Sequence, residues 1–417
     1  MIPVADARRF VLSACGALAP TRVAVCDGSG RVLAETVRAP EAVPPFANSA
    51  MDGYALRATD TVASPARLRV VGVVMAGDDP EVFVSEGEAA RIMTGAALPS
   101  GADAVCMMER TRVDGEGSFV VVEESVGPGT NVRNAGEDVA AGEEVFGPGT
   151  YLGPTHVGVL SSLGVQSVLV HPRPAVGVLS TGDELVMRGG PLAHGKVRDA
   201  NRPALLAQVG ADGFGTVDLG IAGDDGMALA ALLEDAASRC DAVVASGGVS
   251  VGDRDTVKAV LKQLCGPTMR SMQVAVKPAR PFAFGVLEAT GTPVFGLPGN
   301  PVSALISYQL LVLPALRFMA GGTVLDRPRL AAVAEVDLPR RRDGKLHVLR
   351  ATARAGPDGV LRVRLAEGQA SHMLRAMAQS NALALLPDGE GVRSGGLVEV
   401  LLLDADRLPA SPKEPPS

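Results

Sequence analysis

The segment Ala245-Ser-Gly-Gly-Val-Ser-Val-Gly-Asp-Arg-Asp255 puts hydroxyls, glycines and carboxylates into one short loop. The apolar run Ala242-Val-Val-Ala245 before it reads as a short buried strand. In Thr256-Val-Lys-Ala-Val-Leu261 after it, apolar residues recur at helical spacing. Gly247, Gly248 and Gly252 let the backbone bend sharply and bring its N–H groups close to a ligand. The following helix aims its N-terminus at the same place, which favours phosphate. Asp253 and Asp255 stand beside this cradle. Carboxylates repel phosphate unless a cation lies between them, and oxygen donors suit Mg²⁺. The plain alternative is a tight turn with solvated aspartates, and the loop alone leaves both readings open.

A second loop has the same character. Val176-Gly-Val-Leu179 reads as a strand, and Ser180-Thr-Gly-Asp-Glu184 follows it. Ligands of open α/β sheets bind outside the carboxyl ends of the strands, so the two loops are expected to face one pocket. A third loop, Phe295-Gly-Leu-Pro-Gly-Asn-Pro-Val-Ser303, leaves the apolar segment Pro293-Val-Phe295 and runs into a helix. Its prolines and glycines set a rigid turn. Asn300 as a cap and Pro301 at the first helical position also give it a purely structural reading, compatible with binding.

Further segments extend the pattern. They are Pro44-Pro-Phe-Ala-Asn-Ser-Ala-Met-Asp-Gly-Tyr-Ala55, Arg91-Ile-Met-Thr-Gly-Ala96, Gly101-Ala-Asp-Ala-Val105 and Asn131-Val-Arg-Asn-Ala-Gly-Glu-Asp138, then Ser180–Leu185, Asp199-Ala-Asn201 and Lys277-Pro278. In this order, with the 245–255 and 295–303 loops, they make the chain resemble the molybdopterin molybdenumtransferase family. These are the molybdenum insertases of molybdenum-cofactor biosynthesis, related to the C-terminal domain of gephyrin.

The resemblance implies insertion of molybdate into adenylylated molybdopterin, with Mg²⁺-dependent release of AMP. Ser246, Gly247 and Gly248, with Thr181 and Gly182, would cradle phosphate, and Pro298 would touch substrate. Asp224, Asp225, Asp253 and Asp255 are candidate Mg²⁺ ligands, directly or through water. Asp52, Asp225, Asp255 and Lys277 are the candidate catalytic residues. Lys277, Arg280, Arg350 and Ser371 are candidate contacts for molybdate or phosphate oxygens. Glu184 would accept N–H donors of the pterin. Thr94, Arg133 and Asp138, beside Glu137, share a domain with Asp52. In a homodimer of this family that domain approaches the α/β domain of the other subunit, so the site would lie between chains. Transient contact with other molybdenum-cofactor enzymes is also implied. Each has a plain reading too. Asp224 or Asp225 could cap a helix, Glu184 could be solvated, Arg350 could lie on a strand surface, and Asp52 could shape a turn with Gly53.

The chain departs from the usual Lys-Pro-Gly-Lys-Pro segment, reading Lys277-Pro-Ala-Arg-Pro281. Ala279 implies a backbone with no need of positive φ. Arg280 replaces an ammonium by a planar fork suited to two oxygens of one oxyanion. Gly368-Gln-Ala-Ser371 stands where Gly-Gln-Gly-Ser is usual.

These loops need an α/β multidomain architecture to position them. Residues 174–322 alternate strand, loop and helix and read as a central doubly wound α/β domain, which the resemblance implies is the molybdopterin-binding one. Helices are expected at Arg202–Val209, Met227–Ala237, Asp255–Leu264 and Val302–Met319. Residues 45–142 read as a β-rich domain, 323–405 as a C-terminal β domain and 406–417 as a disordered tail. The resemblance joins residues 1–44 and 143–173 into an extended linker and dimerisation domain, with the β-rich domain inserted into it.

Composition narrows the classes. Aromatics are 3% with no tryptophan, against base-stacking nucleic-acid surfaces. A net charge of −7 without a basic run advertises no polyanion-binding face. No uninterrupted apolar run reaches membrane-spanning length, and the first residues lack signal-peptide order, so a cytoplasmic enzyme is expected. The five cysteines are scattered and read as reduced thiols. A non-catalytic molybdopterin-binding scaffold, a molybdopterin adenylyltransferase and a preference for tungstate remain alternatives.

Overall fold

The computed structural model describes residues 1–79, 81–187, 189–249, 256–405 and 408. Asp253, Asp255 and all of the expected tail past residue 405 except Leu408 lie outside the described residues. The chain forms two compact units. One comprises Met1–Thr21, Gly30–Val32 and His171–Ser417, the other Arg22–Ser29 and Leu33–Val170.

In the first unit, strands Ala175–Thr181, Gly215–Ala222, Ala242–Ser246, Arg270–Gln273, Pro281–Val286 and Pro293–Leu297 form one sheet. Numbered along the chain, they lie in the spatial order 2-1-3-6-5-4. The first four in space are parallel, Pro281–Val286 runs antiparallel to 293–297, and Arg270–Gln273 runs antiparallel to 281–286. Strand 242–246 is buried throughout, as expected of an uninterrupted apolar run covered on both faces. Strand 175–181 pairs with 215–222 on one side and 242–246 on the other. Successive connections therefore diverge between the 175–181 and 242–246 strands, and the crevice of such a sheet opens at that switch point.

Helices cover both faces. Asn201–Ala211 and Pro301–Met319 pack on one, with Leu205, Val209, Phe282, Phe284 and Phe295 in the core. Burying each of these large apolar side chains contributes about 1.5–3 kcal/mol. Gly226–Ala237 and Thr256–Cys265 cover the other face through Leu229, Leu233, Val257 and Leu261. The four helices expected here are present with small shifts of their ends. Pro301–Met319 is long and apolar enough to cross a membrane, with mean hydropathy 1.5 over its best window, yet 83% of that window is buried inside the fold. Single polar residues such as Ser303, Ser307 and Gln309 punctuate this helix, so it contains no uninterrupted apolar run of that length.

Toward the C-terminus, strands Arg329–Ala334, Leu346–Ala355, Leu361–Leu365, Ala382–Leu386 and Leu397–Leu402 close on themselves, because 346–355 pairs with both 361–365 and 382–386. Ala332, Ala334, Ala351, Ala353, Ala382 and Ala384 fill the interior. A barrel this narrow needs small inward residues. The strands were expected, their closure was not.

The second unit holds a six-stranded, mostly antiparallel sheet that includes Gly53–Leu56, Ala66–Val74, Glu88–Ile92 and Ala104–Met107. A separate core of Leu33, Val37, Leu152, Leu160, Val168 and Val170 forms around helix Pro154–Ser162.

Candidate functional site

The loops after strands 175–181, 242–246 and 293–297 meet. Gly247 and Gly248 have φ of 100° and 64°, where a side chain is strained. A Cβ on either would also press on Thr181, at 2.5 Å from its carbonyl oxygen for Gly247 and 3.0 Å from its Oγ1 for Gly248. Thr181 and Ser246 are buried, and Gly247 N–H donates to the Leu297 carbonyl at 3.0 Å. Ser246 Oγ donates to the Pro298 carbonyl at 3.3 Å. Thus Thr181, Gly182, Ser246, Gly247, Gly248 and Pro298 form one cluster at the carboxyl ends of three parallel strands. Glu184 is exposed, and its carboxylate folds back over Gly182, filling the space a Cβ there would need.

The residues that bind these loops together lie in Asp199-Ala-Asn-Arg202, which the sequence offered only as part of the family pattern. Asp199 Oδ1 accepts from Ser180 Oγ at 2.9 Å, and its Oδ2 accepts from Arg202 Nε at 2.9 Å. Arg202 reaches on to Asp218. Asn201 Nδ2 donates to Ser246 Oγ at 2.8 Å and to the Gly299 carbonyl at 2.7 Å. No spacing rule identifies such a link.

Asp225 caps helix Gly226–Ala237. Its Oδ1 accepts from Met227 N–H at 2.9 Å and Ala228 N–H at 3.4 Å. Asp224 N–H donates to Asp183 Oδ1 at 3.1 Å, which brings the aspartate of the Ser180–Glu184 loop to this one. Asp183 was absent from the expected site. Thr256 Oγ1 donates to the Asp224 carbonyl at 3.3 Å, so the helix that follows the glycine-rich loop starts beside these acids. Among the described residues no three His, Cys, Asp or Glu side chains are grouped to hold a metal.

Lys277 and Arg280 are exposed on a loop closed by Val274 N–H donating to the Arg280 carbonyl at 2.7 Å. Val276–Lys277 pairs in parallel with Leu346–His347 at the start of barrel strand Leu346–Ala355. Ala279 has φ of 86°. The expectation that this backbone avoids positive φ is therefore wrong: Ala279 itself takes the left-handed conformation.

Arg350, on the same strand, overturns its surface reading. It is 0% exposed. Its Nη2 donates to the Gly368 carbonyl at 2.9 Å and the Ala370 carbonyl at 3.2 Å. Its Nε and Nη1 are buried without a hydrogen-bond partner among the described residues. Burial pulls this guanidinium below its ordinary pKa. The next residue after the loop it grips, Ser371, uses its carbonyl to accept Val302 N–H at 3.1 Å. Asn300 occupies the cap position of the helix at Pro301, but its side chain makes no capping bond. The Ser371 carbonyl satisfies a first-turn N–H instead. Ser371 and Pro298 thereby flank one turn.

In the second unit Asp52 is exposed and accepts from Thr94 N–H at 2.7 Å and Thr94 Oγ1 at 2.8 Å. These two bonds, with the nearby charge of Arg91, hold its carboxyl below the usual pKa. Gly53 is required there because a Cβ would strike the Cys106 carbonyl. Arg133 is exposed on Val132–Arg133, which pairs with Asn48–Ser49. Ser49 in turn bonds Gly95 and Ala96, next to Thr94. Asp138 N–H donates to the Val43 carbonyl at 3.0 Å, and its side chain is exposed. Asp52 and Thr94 are thus in contact, and Arg133 is tied in through Asn48–Ser49.

Three family models match the chain: the MoeA N-terminal region (domain I and II) over residues 2–164, a probable molybdopterin binding domain over 177–317, and the MoeA C-terminal region (domain IV) over 332–403. The molybdopterin molybdenumtransferase of Haemophilus influenzae is 37% identical over 374 residues, covering 89% of this chain and 90% of that protein. Molybdopterin molybdenumtransferase 2 of Mycobacterium tuberculosis is 36% identical over 397 residues, covering 93% and 96%. The crystal structure of the molybdopterin biosynthesis MoeA protein from Pyrococcus horikoshii superposes with a TM-score of 0.81 at 31% identity, covering 96% of this chain and all of that one.

Proposed function

The chain belongs to the molybdopterin molybdenumtransferase family, and from that premise we infer that it inserts molybdate into adenylylated molybdopterin with release of AMP. It is an enzyme of molybdenum-cofactor biosynthesis. The observation that supports molybdate as co-substrate is Arg350. A guanidinium buried at 0% exposure, with two N–H-bearing nitrogens unsatisfied among the described residues, calls for an anion. A tetrahedral oxyanion reaching Arg350 would meet that demand, with Ser371, Lys277 and Arg280 as the further candidate contacts.

In this reading Ser246, Gly247, Gly248, Thr181 and Gly182 hold the phosphates, and Glu184 orients the pterin through its N–H donors. The carboxylates of Asp183, Asp224 and Asp225 are hard oxygen donors of the kind Mg²⁺ takes, as are those of Asp253 and Asp255 in the sequence between Ser246 and Thr256. Asp225 Oδ1 is used as a helix cap, so that residue would meet a hydrated ion through Oδ2 or through water. Bound Mg²⁺ would offset the charge developing on the departing AMP. Asp52, with its carboxyl kept ionised by Thr94, enters from the inserted domain of a partner subunit in a homodimer. A cytoplasmic location belongs to the same reading.

The test is turnover of purified protein with adenylylated molybdopterin, Mg²⁺ and either molybdate or tungstate. AMP release with formation of molybdenum-loaded cofactor is expected. Tight substrate binding with no AMP release under any oxyanion would replace this reading with the scaffold. Net AMP transfer onto molybdopterin would replace it with the adenylyltransferase.

A further inference from the structure

Asn201 opens helix Asn201–Ala211 at the point where the three loops meet. Its carboxamide nitrogen faces two acceptors, Ser246 Oγ at 2.8 Å and the Gly299 carbonyl at 2.7 Å. A carbonyl oxygen only accepts, so Gly299 decides which end of the carboxamide points inward. Both amide protons are then committed. A serine hydroxyl has one proton and two lone pairs. With one lone pair taken by Asn201, Ser246 keeps its proton for donation. The acceptor it has is the Pro298 carbonyl at 3.3 Å, long for an O–H···O bond. Ser246 is itself 2% exposed, so its hydroxyl has little choice of partner. The adjoining Asp199 anchors the segment by accepting from Ser180 Oγ at 2.9 Å and Arg202 N–H at 3.2 Å.

We propose that Asn201 is a positioning residue for substrate phosphate, acting through Ser246. It holds Oγ as an acceptor and leaves the proton on a weak bond to Pro298, from which it rotates onto a phosphate oxygen. A charged acceptor gives a shorter and stronger bond than a neutral carbonyl, so the exchange favours the bound state. The bond to Gly299 keeps the 298–300 turn at the right distance for this. The inference rests on the reading of the loop as a phosphate cradle for adenylylated molybdopterin.

A double-mutant cycle on the full chain tests it, reading equilibrium affinity for adenylylated molybdopterin by calorimetry with molybdate left out. Ser246→Ala should weaken binding about tenfold, the worth of one hydrogen bond to a charged group. Asn201→Ala should cost a similar factor, and the double variant should be no weaker than either alone. Losses that multiply in the double variant, or wild-type affinity in Asn201→Ala, would overturn the proposal. Asn201→Asp conserves size and covers the case of a poorly folded alanine variant. Its carboxylate draws the Ser246 proton to itself, so about tenfold weaker binding is expected, and unchanged affinity overturns the idea. Absence of binding by the wild-type protein would defeat the cradle reading itself, and the proposal with it. Wild-type binding with an additive cycle would defeat the proposal alone.

Discussion

Ala279 sits at φ of 86° with 3% exposure, so its methyl group is both strained and buried. Replacing it by glycine sets three effects against one another. Release from the left-handed region returns about 1–2 kcal/mol. The lost methyl forfeits about 0.8 kcal/mol of burial. The freer unfolded chain takes a further ~0.4–1 kcal/mol. Gain and losses nearly cancel, and Ala279→Gly should change stability by less than about 1 kcal/mol. Ala279→Val is the contrasting perturbation. A β-branched residue is an outlier at positive φ, and the site is closed to a larger side chain, so a loss of more than about 2 kcal/mol is expected. Scanning calorimetry of both variants beside the wild type reads this out. A melting shift under about 2 °C for glycine and a drop beyond about 4 °C for valine are the expected values. Clear destabilisation by glycine, or tolerance of valine, would mean that the backbone at 279 is not in the left-handed region. The same balance explains how alanine is sustained at this left-handed position.

Arg350→Met keeps the buried volume and removes the cation. With two hydrogen bonds to an anion lost, molybdate affinity should fall about 100-fold, as read from molybdate-dependent thermal stabilisation, and equal stabilisation of both proteins would exclude Arg350 from the oxyanion site. Asp225 separates two roles: Asp225→Ser should retain the helix cap, whereas Asp225→Ala should lose about 1 kcal/mol of stability. AMP release at the wild-type rate in the serine variant would leave Asp225 a cap and nothing more. Thr94→Val removes the hydroxyl bond to Asp52, and its carboxyl should titrate closer to the ordinary value by NMR. Because the folded pKa is depressed, the stabilisation from ionised Asp52 is present above the ordinary carboxylate pKa and is lost as pH falls through the folded value; an unmoved titration curve in Thr94→Val would refute the assignment. Mixed Asp52→Ala and Asp255→Asn subunits should regain part of the activity if the site is shared, and no recovery despite subunit exchange would count against sharing.

Much of this protein was legible in the residues themselves. The helices of the α/β domain follow from 3.6-residue periodicity, and the strands before the functional loops follow from short apolar runs. Gly247 and Gly248 announced a turn, and that turn has positive φ at both. These are local facts, decided by sterics within a few residues, so local pattern suffices. The order of the motifs carried the family because such a series does not recur by chance.

Contacts between distant segments needed the tertiary structure. Closure of the C-terminal barrel depends on strand 346–355 pairing with 382–386, and alternation of side chains is the same in an open sheet. Arg350 lies on an arginine-bearing strand that reads as surface, and only the tertiary packing covers it with the loop whose carbonyls at 368 and 370 it holds. Ser371, rather than Asn300, satisfies the helix at Pro301 because a loop from another domain arrives there. Ala279 adopts positive φ although its sequence argues otherwise, since the surrounding fold constrains the turn more strongly than one residue's preference. Asn201 joins loops that lie 45 and 98 residues away along the chain. The residue types that can do the chemistry are set by sequence. Which of their atoms face one another is decided by long-range packing, because a hydrogen bond forms or fails over tenths of an ångström that no spacing along the chain specifies.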